Sequence, residues 1–574
     1  MLVVFSENLN STNSTESAIF PKNIQSAPTT EKYTPASLIQ DKNLSDYSIK
    51  IAGNDEADLF TECKEAEPEK IFEFFQRKLL EFAFSKENFH YFADGILRAV
   101  EKLIENHGER KNLQGLKTHI SKFLKADKES TKEYKINQEK FIKSCKNLIK
   151  DLYKKAEDDG VSKKDIDHAF LVHAPNNAPN SWGPMQYTNK YLLPDKNKID
   201  FKLNLTPVSV KDTNETGNGI TSNDKKSKHL RNCWIQKVSY HNNSSFGFIR
   251  NACTNGKKEA TEELLAANLK AYPSLVDKLQ NGQGSKDNPI PLKLANIQLL
   301  SPNLFGGDKN LHSKQMKAIT KLQNEKSVEL KVDDKSVWVR LESPFLFNFG
   351  SNRQHFNQFL NPIFSKCKAE NTEPMKNLLG ADIANKKNSQ NAKLQKFYKS
   401  KKGTSTIIDG MNFADGDIEK AAEFFGKDSA VGKYLTDSNN SDKDRKIVFC
   451  LAAQIADIWS NDLYYKNSSN PYAIQERLMV ILYKLGYSVS INCKSGKDRT
   501  GILASYVLPF VVQVENGYII EPYADITPEQ KINILQSMYT SLLITKFNTL
   551  LVGFVGTASK VIEKTFGNTK LAKI

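Results

Sequence analysis

A cysteine and an arginine stand six positions apart in the segment INCKSGKDRTG, residues 491–501, among lysines and a glycine. A thiolate is a strong nucleophile, and basic neighbours together with loop amides favour the thiolate form of Cys493. The guanidinium of Arg499 can hold a tetrahedral phosphate through two parallel hydrogen bonds. Gly496 lets the backbone turn where a side chain would block an anion. The spacing therefore predicts displacement at phosphorus by a cysteine nucleophile.

The other positions of this loop are predicted to bind the substrate. They are Lys494, Ser495, Gly496, Lys497 and Thr500. The hydroxyl of Thr500 can also donate a hydrogen bond to the sulfur of Cys493. We expect no metal and no other cofactor, because Arg499 and the loop amides can neutralise the phosphate oxygens.

The leaving alkoxide needs a proton, and two sources are open. Asp498 lies inside the loop and is the nearest candidate for the general acid. The alternative is an acid from the segment IIDGMNFADGD, which contains Asp409, Asp415 and Asp417. A carboxyl group can fill this role once a reactive geometry brings it within hydrogen-bond reach.

Residues 470–512 predict the order helix, strand, loop, helix. Pro471 suits a helix start, and Gly486 suits its end. The run YSVSIN predicts a short strand, and GILASYVLPFVV predicts a buried helix that Pro509 bends or interrupts. A loop between a strand and a helix binds anions well, because loop amides and the positive helix end converge there. This context favours a catalytic loop over a chance match to the bare spacing.

The rest of the chain divides into three predicted segments. Residues 1–60 are rich in Ser, Thr, Asn and Lys and predict disorder. Residues 61–180 show helical periodicity and predict a small helical domain. Residues 181–574 are predicted to form the domain that carries the loop, with a catalytic core over about 295–574. Its strand-like runs are DFKLNL, CWIQKVSY, FGFIR and a predicted hairpin of VELKV and SVWVRLE.

Composition limits the classes of partner and compartment. The 574-residue chain has a formal net charge of +15, which indicates either an anionic partner or simple solubility. No zinc-finger, RRM or helix-turn-helix signature supports a nucleic-acid partner. Seven cysteines without a CxxC pair argue against a disulfide framework or a structural zinc site. The apolar runs MLVVF and FNTLLVGFVGTAS are too short for a signal peptide and a membrane-spanning helix.

The segment Asn492–Gly501 resembles the active-site loop of the bacterial effector phosphoinositide phosphatases of the SopB/SigD/IpgD group. It is also similar to the loops of mammalian inositol polyphosphate 4-phosphatases and of Legionella effectors such as SidF and SidP. The segment FNFGSN, residues 347–352, resembles a segment upstream of the loop in the first group. The resemblance covers roughly residues 295–510. It implies a mixed α+β or α/β fold with a central sheet, flanking helices and a strand–phosphate loop–helix unit, plus an N-terminal helical domain.

The same resemblance implies a cysteine-dependent phosphatase of inositol lipids or soluble inositol polyphosphates. Cys493 is then the nucleophile, Arg499 the phosphate clamp, and the 3- or 4-phosphate of the ring the leaving position. It further implies a virulence effector that a bacterial secretion system delivers into a host cell, where it contacts membrane phosphoinositides peripherally. Asn492 stands where protein tyrosine phosphatases have histidine, which argues against phosphotyrosine as the main substrate. Lys494 and Lys497 suit a ring that carries several phosphates.

Three alternatives stay open at this point. A dual-specificity protein phosphatase would use the same cysteine chemistry. The helical region could instead bind a host protein such as a small GTPase, or a secretion chaperone. The lysine-rich stretch 386–403, which contains Phe397 and Tyr398, is either a surface that holds a membrane or a solvated loop.

Overall fold

The computed structural model describes most of residues 97–126, 151–166, 185–207, 230–350, 361–463 and 470–537. The predicted disordered segment 1–60 and the apolar run 547–559 lie outside the described residues. The predicted domain boundaries at 60, 180 and 295 therefore stay predictions.

Ten strands are present in this part of the chain. They are β1 (Met185–Leu192), β2 (Lys198–Pro207), β3 (Trp234–Tyr240), β4 (Ser244–Ala252), β5 (Ile290–Leu292), β6 (Leu294–Gln298), β7 (Val328–Val332), β8 (Lys335–Leu341), β9 (Phe345–Asn348) and β10 (Ser488–Cys493). Seven of them form one sheet in the order β1-β2-β3-β4-β10-β6-β9. The runs predicted as strands from their β-branched and aromatic residues are confirmed.

The sheet combines an antiparallel half with a parallel half. Strands β1 to β4 form an antiparallel meander, and β10, β6 and β9 then run parallel to β4. All six residues of β10 are buried, as expected for a strand in the interior of a parallel sheet with both faces covered. Four of the sheet's strands, β1 to β4, precede residue 295. The sheet that carries Cys493 thus begins well before residues 295–510, the stretch whose sequence resembles the effector phosphatases.

A second, smaller sheet has the order β5-β8-β7. Strands β7 and β8 pair antiparallel from Val328↔Val339 to Val332↔Lys335, so the predicted hairpin is confirmed. In β7 the residues alternate between buried and exposed, which matches the alternating sequence VELKV. The buried side chains of this sheet pack with those of three neighbouring helices and form a core of their own.

Twelve α-helices have bounds that lie within the described residues. They are α1 (Lys111–Ala126), α2 (Lys258–Ala271), α3 (Leu275–Gln280), α4 (Leu311–Gln323), α5 (Asn361–Leu379), α6 (Ala381–Ala384), α7 (Gln390–Lys402), α8 (Asp417–Phe425), α9 (Ala430–Thr436), α10 (Asp442–Ser460), α11 (Ala473–Lys484) and α12 (Asp498–Glu515). Helices α11 and α12 contact β4 and β10, α2 contacts the same two strands, and α5 contacts β9. The predicted central sheet with flanking helices is confirmed.

Helix α12 corrects one expectation. Pro509 lies inside it, and the helix nevertheless runs without a break from Asp498 to Glu515. Proline removes one backbone donor, and the ring opposes the preceding turn. The apolar residues around Pro509 are buried in the main hydrophobic cluster, and this burial outweighs the local cost. The predicted interruption of this helix is therefore wrong.

In the described part of the chain, no helix combines the length and the apolar character that crossing a membrane requires.

Candidate active site

Cys493 is the last residue of β10 and lies at the carboxyl edge of the sheet, where open α/β sheets bind ligands. It is paired in register with Ala252 of β4, and its carbonyl accepts a hydrogen bond from the amide of Cys253 at 2.9 Å. Five residues later α12 begins at Asp498. The predicted strand–loop–helix unit is therefore confirmed, with the cysteine at its base.

The loop lies directly on the end of the neighbouring strand. Gly496 has a φ of +69°, a conformation that residues with a Cβ rarely adopt. A Cβ at this position would lie 2.5 Å from the amide nitrogen of Ala252 and 2.8 Å from the carbonyl oxygen of Asn251. Glycine is thus required here both by the turn and by the close approach to β4.

Arg499 and Thr500 lie in the first turn of α12. Arg499 is half-buried and donates a hydrogen bond from Nη1 to the carbonyl of Leu299, just after β6. Thr500 is buried, and its Oγ1 lies 4.0 Å from Sγ of Cys493. The guanidinium is thus anchored by a neighbouring strand end, and the hydroxyl lies beside the sulfur.

The structure shows a buried arginine that the sequence did not indicate. Arg250 is fully buried near the end of β4, and its Nε donates to the carbonyl of Gly496 at 3.0 Å and to Oγ1 of Thr500 at 3.2 Å. A Cβ at Gly501 would lie 2.9 Å from the nearest guanidinium nitrogen. In the sequence this residue ends the run FGFIR and resembles an exposed strand terminus. Its only local signal is an apolar strand that ends in a cation opposite the loop.

A network of buried amides holds the other face of β10. Gln315 of α4 donates to Oδ1 of both Asn296 and Asn492 at 3.1 Å, and it accepts from the amide of Thr254 at 3.0 Å. Asn296 in turn donates to the hydroxyl of Ser490 at 2.7 Å. Asn492, the residue before Cys493, is therefore held by Gln315, which also binds Asn296 of the neighbouring strand β6.

The segment FNFGSN ends β9 at the same edge of the sheet. Asn348 exchanges two hydrogen bonds with Asn371 of α5, at 2.7 and 2.8 Å, through its backbone amide and carbonyl. Its side-chain amide donates to Glu370 at 3.2 Å. Residues 351 and 352 of the segment lie outside the described residues. The described part of the segment anchors α5 to the sheet.

A tyrosine hydroxyl is buried near the loop. Tyr472 precedes α11, is fully buried, and packs its ring against Tyr506 of α12 at a centroid distance of 5.4 Å. Burial raises its pKa well above the usual range, while the charge of Arg499 lowers it and that of Cys493 raises it. Its hydroxyl has no hydrogen-bond partner among the described residues. It is thus a neutral group within electrostatic reach of Cys493 and Arg499.

Several predicted site residues are only partly covered by the structure. Ser495 and Lys497 lie outside the described residues, as does the side chain of Asp498, whose backbone begins α12. Lys494 is described and is partly exposed. The roles predicted for these four residues stay predictions.

The alternative prediction, that Asp409, Asp415 or Asp417 supplies the general acid, is wrong. The segment 408–417 meets the far end of α12, because the amide of Ile408 donates to the carbonyl of Gly517 at 2.6 Å. The 18 residues of α12 separate this point from the loop by about 27 Å. Asp417 is instead paired with Lys401 at 2.5 Å and accepts from the amide of Ala414 at 2.7 Å. The carboxylate of Asp417 thus stabilises a turn that is remote from Cys493.

Within the lysine-rich stretch 386–403, residues Gln390–Lys402 form helix α7 rather than a loop. Its last two lysines are paired, Lys401 with Asp417 at 2.5 Å and Lys402 with Glu521 at 3.2 Å. This end of α7 therefore also lies at the end of α12 that is remote from the loop. Such a position favours a solvated helix face over a membrane contact that would bring Cys493 to a lipid headgroup.

Within the ranges that the structure describes, no three His, Cys, Asp or Glu side chains come together in a way that could hold a metal ion. The chemistry that the described site offers is carried by a sulfur, two guanidinium groups, hydroxyls and loop amides.

The sequence matches known proteins over most of its length. The model of a family described as enterobacterial virulence protein IpgD matches residues 124–394 and 420–539. The chain is 25% identical over 437 residues to the inositol phosphate phosphatase SopB of Salmonella typhimurium, a match that covers 69% of this chain and 67% of the relative. It is 24% identical over 386 residues to the inositol phosphate phosphatase IpgD of Shigella flexneri, with 61% of each chain covered. The resemblance predicted from the loop is confirmed.

A solved structure of the Legionella phosphoinositide phosphatase SidF aligns with 83% of this chain and 90% of its own, at 10% identity and a TM-score of 0.44. A solved structure from work on substrate recognition by a novel Legionella phosphoinositide phosphatase aligns over the same shares, at 11% identity and a TM-score of 0.48.

Proposed function

We propose, from the premise that this chain belongs to the family of the enterobacterial virulence protein IpgD, that it removes a ring phosphate from inositol phosphates and phosphoinositides. Its curated relatives are named inositol phosphate phosphatases. The observation that carries the proposal is the position of Cys493, at the base of a loop that opens helix α12 at the carboxyl edge of the sheet. The chain is accordingly a phosphatase of the effector class.

The proposed mechanism proceeds through a phosphocysteine. The thiolate of Cys493 attacks phosphorus, so that a sulfur–phosphorus bond forms and the bond to the ring oxygen breaks. Arg499 and the loop amides stabilise the charge that develops on the equatorial oxygens. Asp498 supplies the proton to the leaving alkoxide, and water then hydrolyses the phosphocysteine. The hydrogen bond from Arg499 to the carbonyl of Leu299 supports the role of Arg499. It already restricts the guanidinium, so less conformational entropy is lost when phosphate binds.

Lys494 and Lys497 are proposed to contact ring phosphates that are not cleaved. The 3- or 4-phosphate is the proposed leaving position. Because the headgroup of a lipid substrate must reach Cys493, peripheral contact with an anionic host membrane is proposed at the carboxyl edge of the sheet. The family is one of bacterial virulence proteins, so delivery into the host cell by a secretion system completes the proposal.

Phosphate release tests this function. The wild-type chain is incubated with each phosphoinositide, with soluble inositol polyphosphates and with a phosphotyrosine peptide. We expect turnover of inositol substrates and loss of at least about 10⁴-fold in kcat for Cys493→Ser, as for other essential nucleophiles. Cys450→Ser is the matched control, because Cys450 is equally buried in α10 but remote from the loop; it should keep wild-type kcat.

Two outcomes would contradict the proposal in different ways. Persistent turnover in the Cys493→Ser protein would show that this sulfur is not the nucleophile. A kcat/KM for the phosphopeptide above that for every inositol substrate would instead support a dual-specificity protein phosphatase.

A further inference from the structure

Arg250 is the one fully buried charged side chain that the described structure directs at the phosphate loop from the neighbouring strand. We propose that Arg250 is a positioning residue that holds this loop in its anion-binding conformation. The proposal rests on the function proposed above, and it assigns a role to a residue outside the Cys–Arg motif.

The first step of the argument concerns the peptide group after Gly496. Its carbonyl accepts a hydrogen bond from Nε of Arg250 at 3.0 Å. In a planar trans peptide the carbonyl and the N–H point in opposite directions. With the carbonyl of Gly496 fixed toward β4, the opposite side of that peptide group is turned away from β4. Arg250 thereby selects the peptide orientation that presents a donor to phosphate.

The second step concerns the start of α12. Nε of Arg250 also donates to Oγ1 of Thr500 at 3.2 Å, and that hydroxyl lies 4.0 Å from Sγ of Cys493. One guanidinium therefore links the turn of the loop to the first turn of the helix. The backbone amides between these two points are the proposed oxyanion donors, and their spacing depends on both ends being held.

The third step concerns space and charge. The guanidinium lies close against Gly501, where a Cβ would meet Nη2 at 2.9 Å and Cζ at 3.4 Å. Glycine at this position thus makes room for Arg250. A cation beside a helix N-terminus opposes the helix dipole, and an anion bound in the loop relieves that opposition. The arrangement fits a loop built to be occupied by phosphate.

The test compares two buried arginines. Arg250→Lys keeps the charge but loses the Nε donor that bridges the carbonyl of Gly496 and the hydroxyl of Thr500. Arg477→Lys is the matched control, because Arg477 is also fully buried but donates to Gln454 and to the carbonyls of Ala473 and Ile520. For both variants, kcat/KM for a soluble inositol polyphosphate and Tm are measured. Losing the alignment of loop donors should lower kcat/KM about 100-fold for Arg250→Lys, and the control should stay within about threefold of wild type after correction for folded fraction.

A second readout separates positioning from loss of stability. Cys493 is alkylated with anionic iodoacetate and with neutral iodoacetamide, and mass spectrometry follows modification of that residue. Only the anionic reagent uses the anion-binding loop. We expect the ratio of the two rate constants to fall about tenfold in Arg250→Lys, equivalent to one lost interaction of about 1.4 kcal/mol, and to be unchanged in Arg477→Lys.

If Arg250→Lys does not fold, Gly501→Ala provides the same comparison by crowding the guanidinium alone. An unchanged ratio and unchanged kcat/KM in the folded variant would overturn the role of Arg250. A wild-type protein that releases no phosphate and shows no preference for iodoacetate would instead overturn the proposed function itself.

Discussion

The two faces of strand β10 are both buried, yet they are built from different chemistry. On one face Val489, Ile491 and Cys493 belong to the main hydrophobic cluster with residues of α11 and α12. On the other face Ser488 donates to Asn268 at 3.0 Å, while Ser490 and Asn492 accept from Asn296 and Gln315 at 2.7 and 3.1 Å. One strand thus has an apolar side and a fully buried polar side.

The difference shows how the sheet divides two tasks. Apolar contacts are non-directional and supply free energy roughly in proportion to the area that they bury. Buried amides are costly unless every partner is in place, so they tolerate one register and one direction of the strand. The apolar face therefore stabilises the base of the loop that follows Cys493, and the polar face fixes where Asn492, and with it Cys493, is held.

The largest effect on stability is expected from the polar face. Gln315→Met preserves size but leaves Thr254, Asn296 and Asn492 each without the bond that Gln315 provides. Unsatisfied buried groups cost about 1–3 kcal/mol each, so we expect a loss of about 4 kcal/mol in the free energy of unfolding. Urea unfolding with an unchanged m value measures it.

Lys317→Met is the control for this substitution, because Lys317 is exposed on the same helix. It should change stability by no more than about 0.5 kcal/mol. Equal effects of the two substitutions would show that the amide network does not hold this face, and the comparison between the faces would fail.

The next largest effect on stability is expected from Glu476, a carboxyl group on helix α11, which covers the apolar face. Burial raises the pKa of Glu476 to about 8, although nearby Arg477 and the hydrogen bond from Asn470 oppose the shift. Nη1 of Arg477 lies 3.6 Å from Oε2 of Glu476, beyond hydrogen-bond distance. The nitrogens of Arg477 donate instead to neutral acceptors on Gln454, Ala473 and Ile520. Glu476 is therefore protonated in the folded protein at neutral pH and ionised in the unfolded chain.

Because the folded protein retains a proton that the unfolded chain releases, stability must fall as the pH rises from about 4.5 to about 8. Glu476→Gln cannot titrate and keeps an oxygen that accepts from Asn470. We expect the free energy of unfolding of Glu476→Gln to rise relative to that of the wild type by about 1.4 kcal/mol per pH unit across this window. The difference should reach about 3 kcal/mol at pH 7. Unfolding at a series of pH values measures the difference, and a difference that stays flat with pH would mean that Glu476 is ionised in the fold.

The order of elements and the position of Cys493 between a strand and a helix could be predicted from the sequence, while the surroundings of Cys493 could not. Cys493, Gly496 and Arg499 lie within one short segment between a predicted strand and a predicted helix, so their spacing and this local context indicated the loop. Arg250 reaches the loop from a strand that is 243 residues away from Cys493, and pairing of β4 with β10 is decided only by the complete sheet. The local sequence pattern cannot predict a contact between residues so far apart in the chain.

The burial of the polar face of β10 could not be predicted for a related reason. Alternation of Ser and Asn with Val and Ile in YSVSINC is typical of a strand with one face in water. Here helices α2 and α4 supply amide partners that take the place of water. Pro509 predicted an interrupted helix, but α12 is continuous because its packing outweighs the local effect of the proline. In each case tertiary burial decided what the local sequence left open.

The smallest effect is expected on the apolar face, and it completes the comparison. Ile491→Val removes one methylene group from a fully buried side chain without touching a hydrogen bond. We expect a loss of about 1 kcal/mol in the free energy of unfolding and an unchanged ratio of iodoacetate to iodoacetamide alkylation at Cys493. This side chain contributes packing, and packing relaxes around a small void while the neighbouring Asn492 keeps its partners. A fall in the alkylation ratio, measured on the folded variant, would show that the apolar face also directs the loop, and the proposed division of tasks between the two faces would not hold.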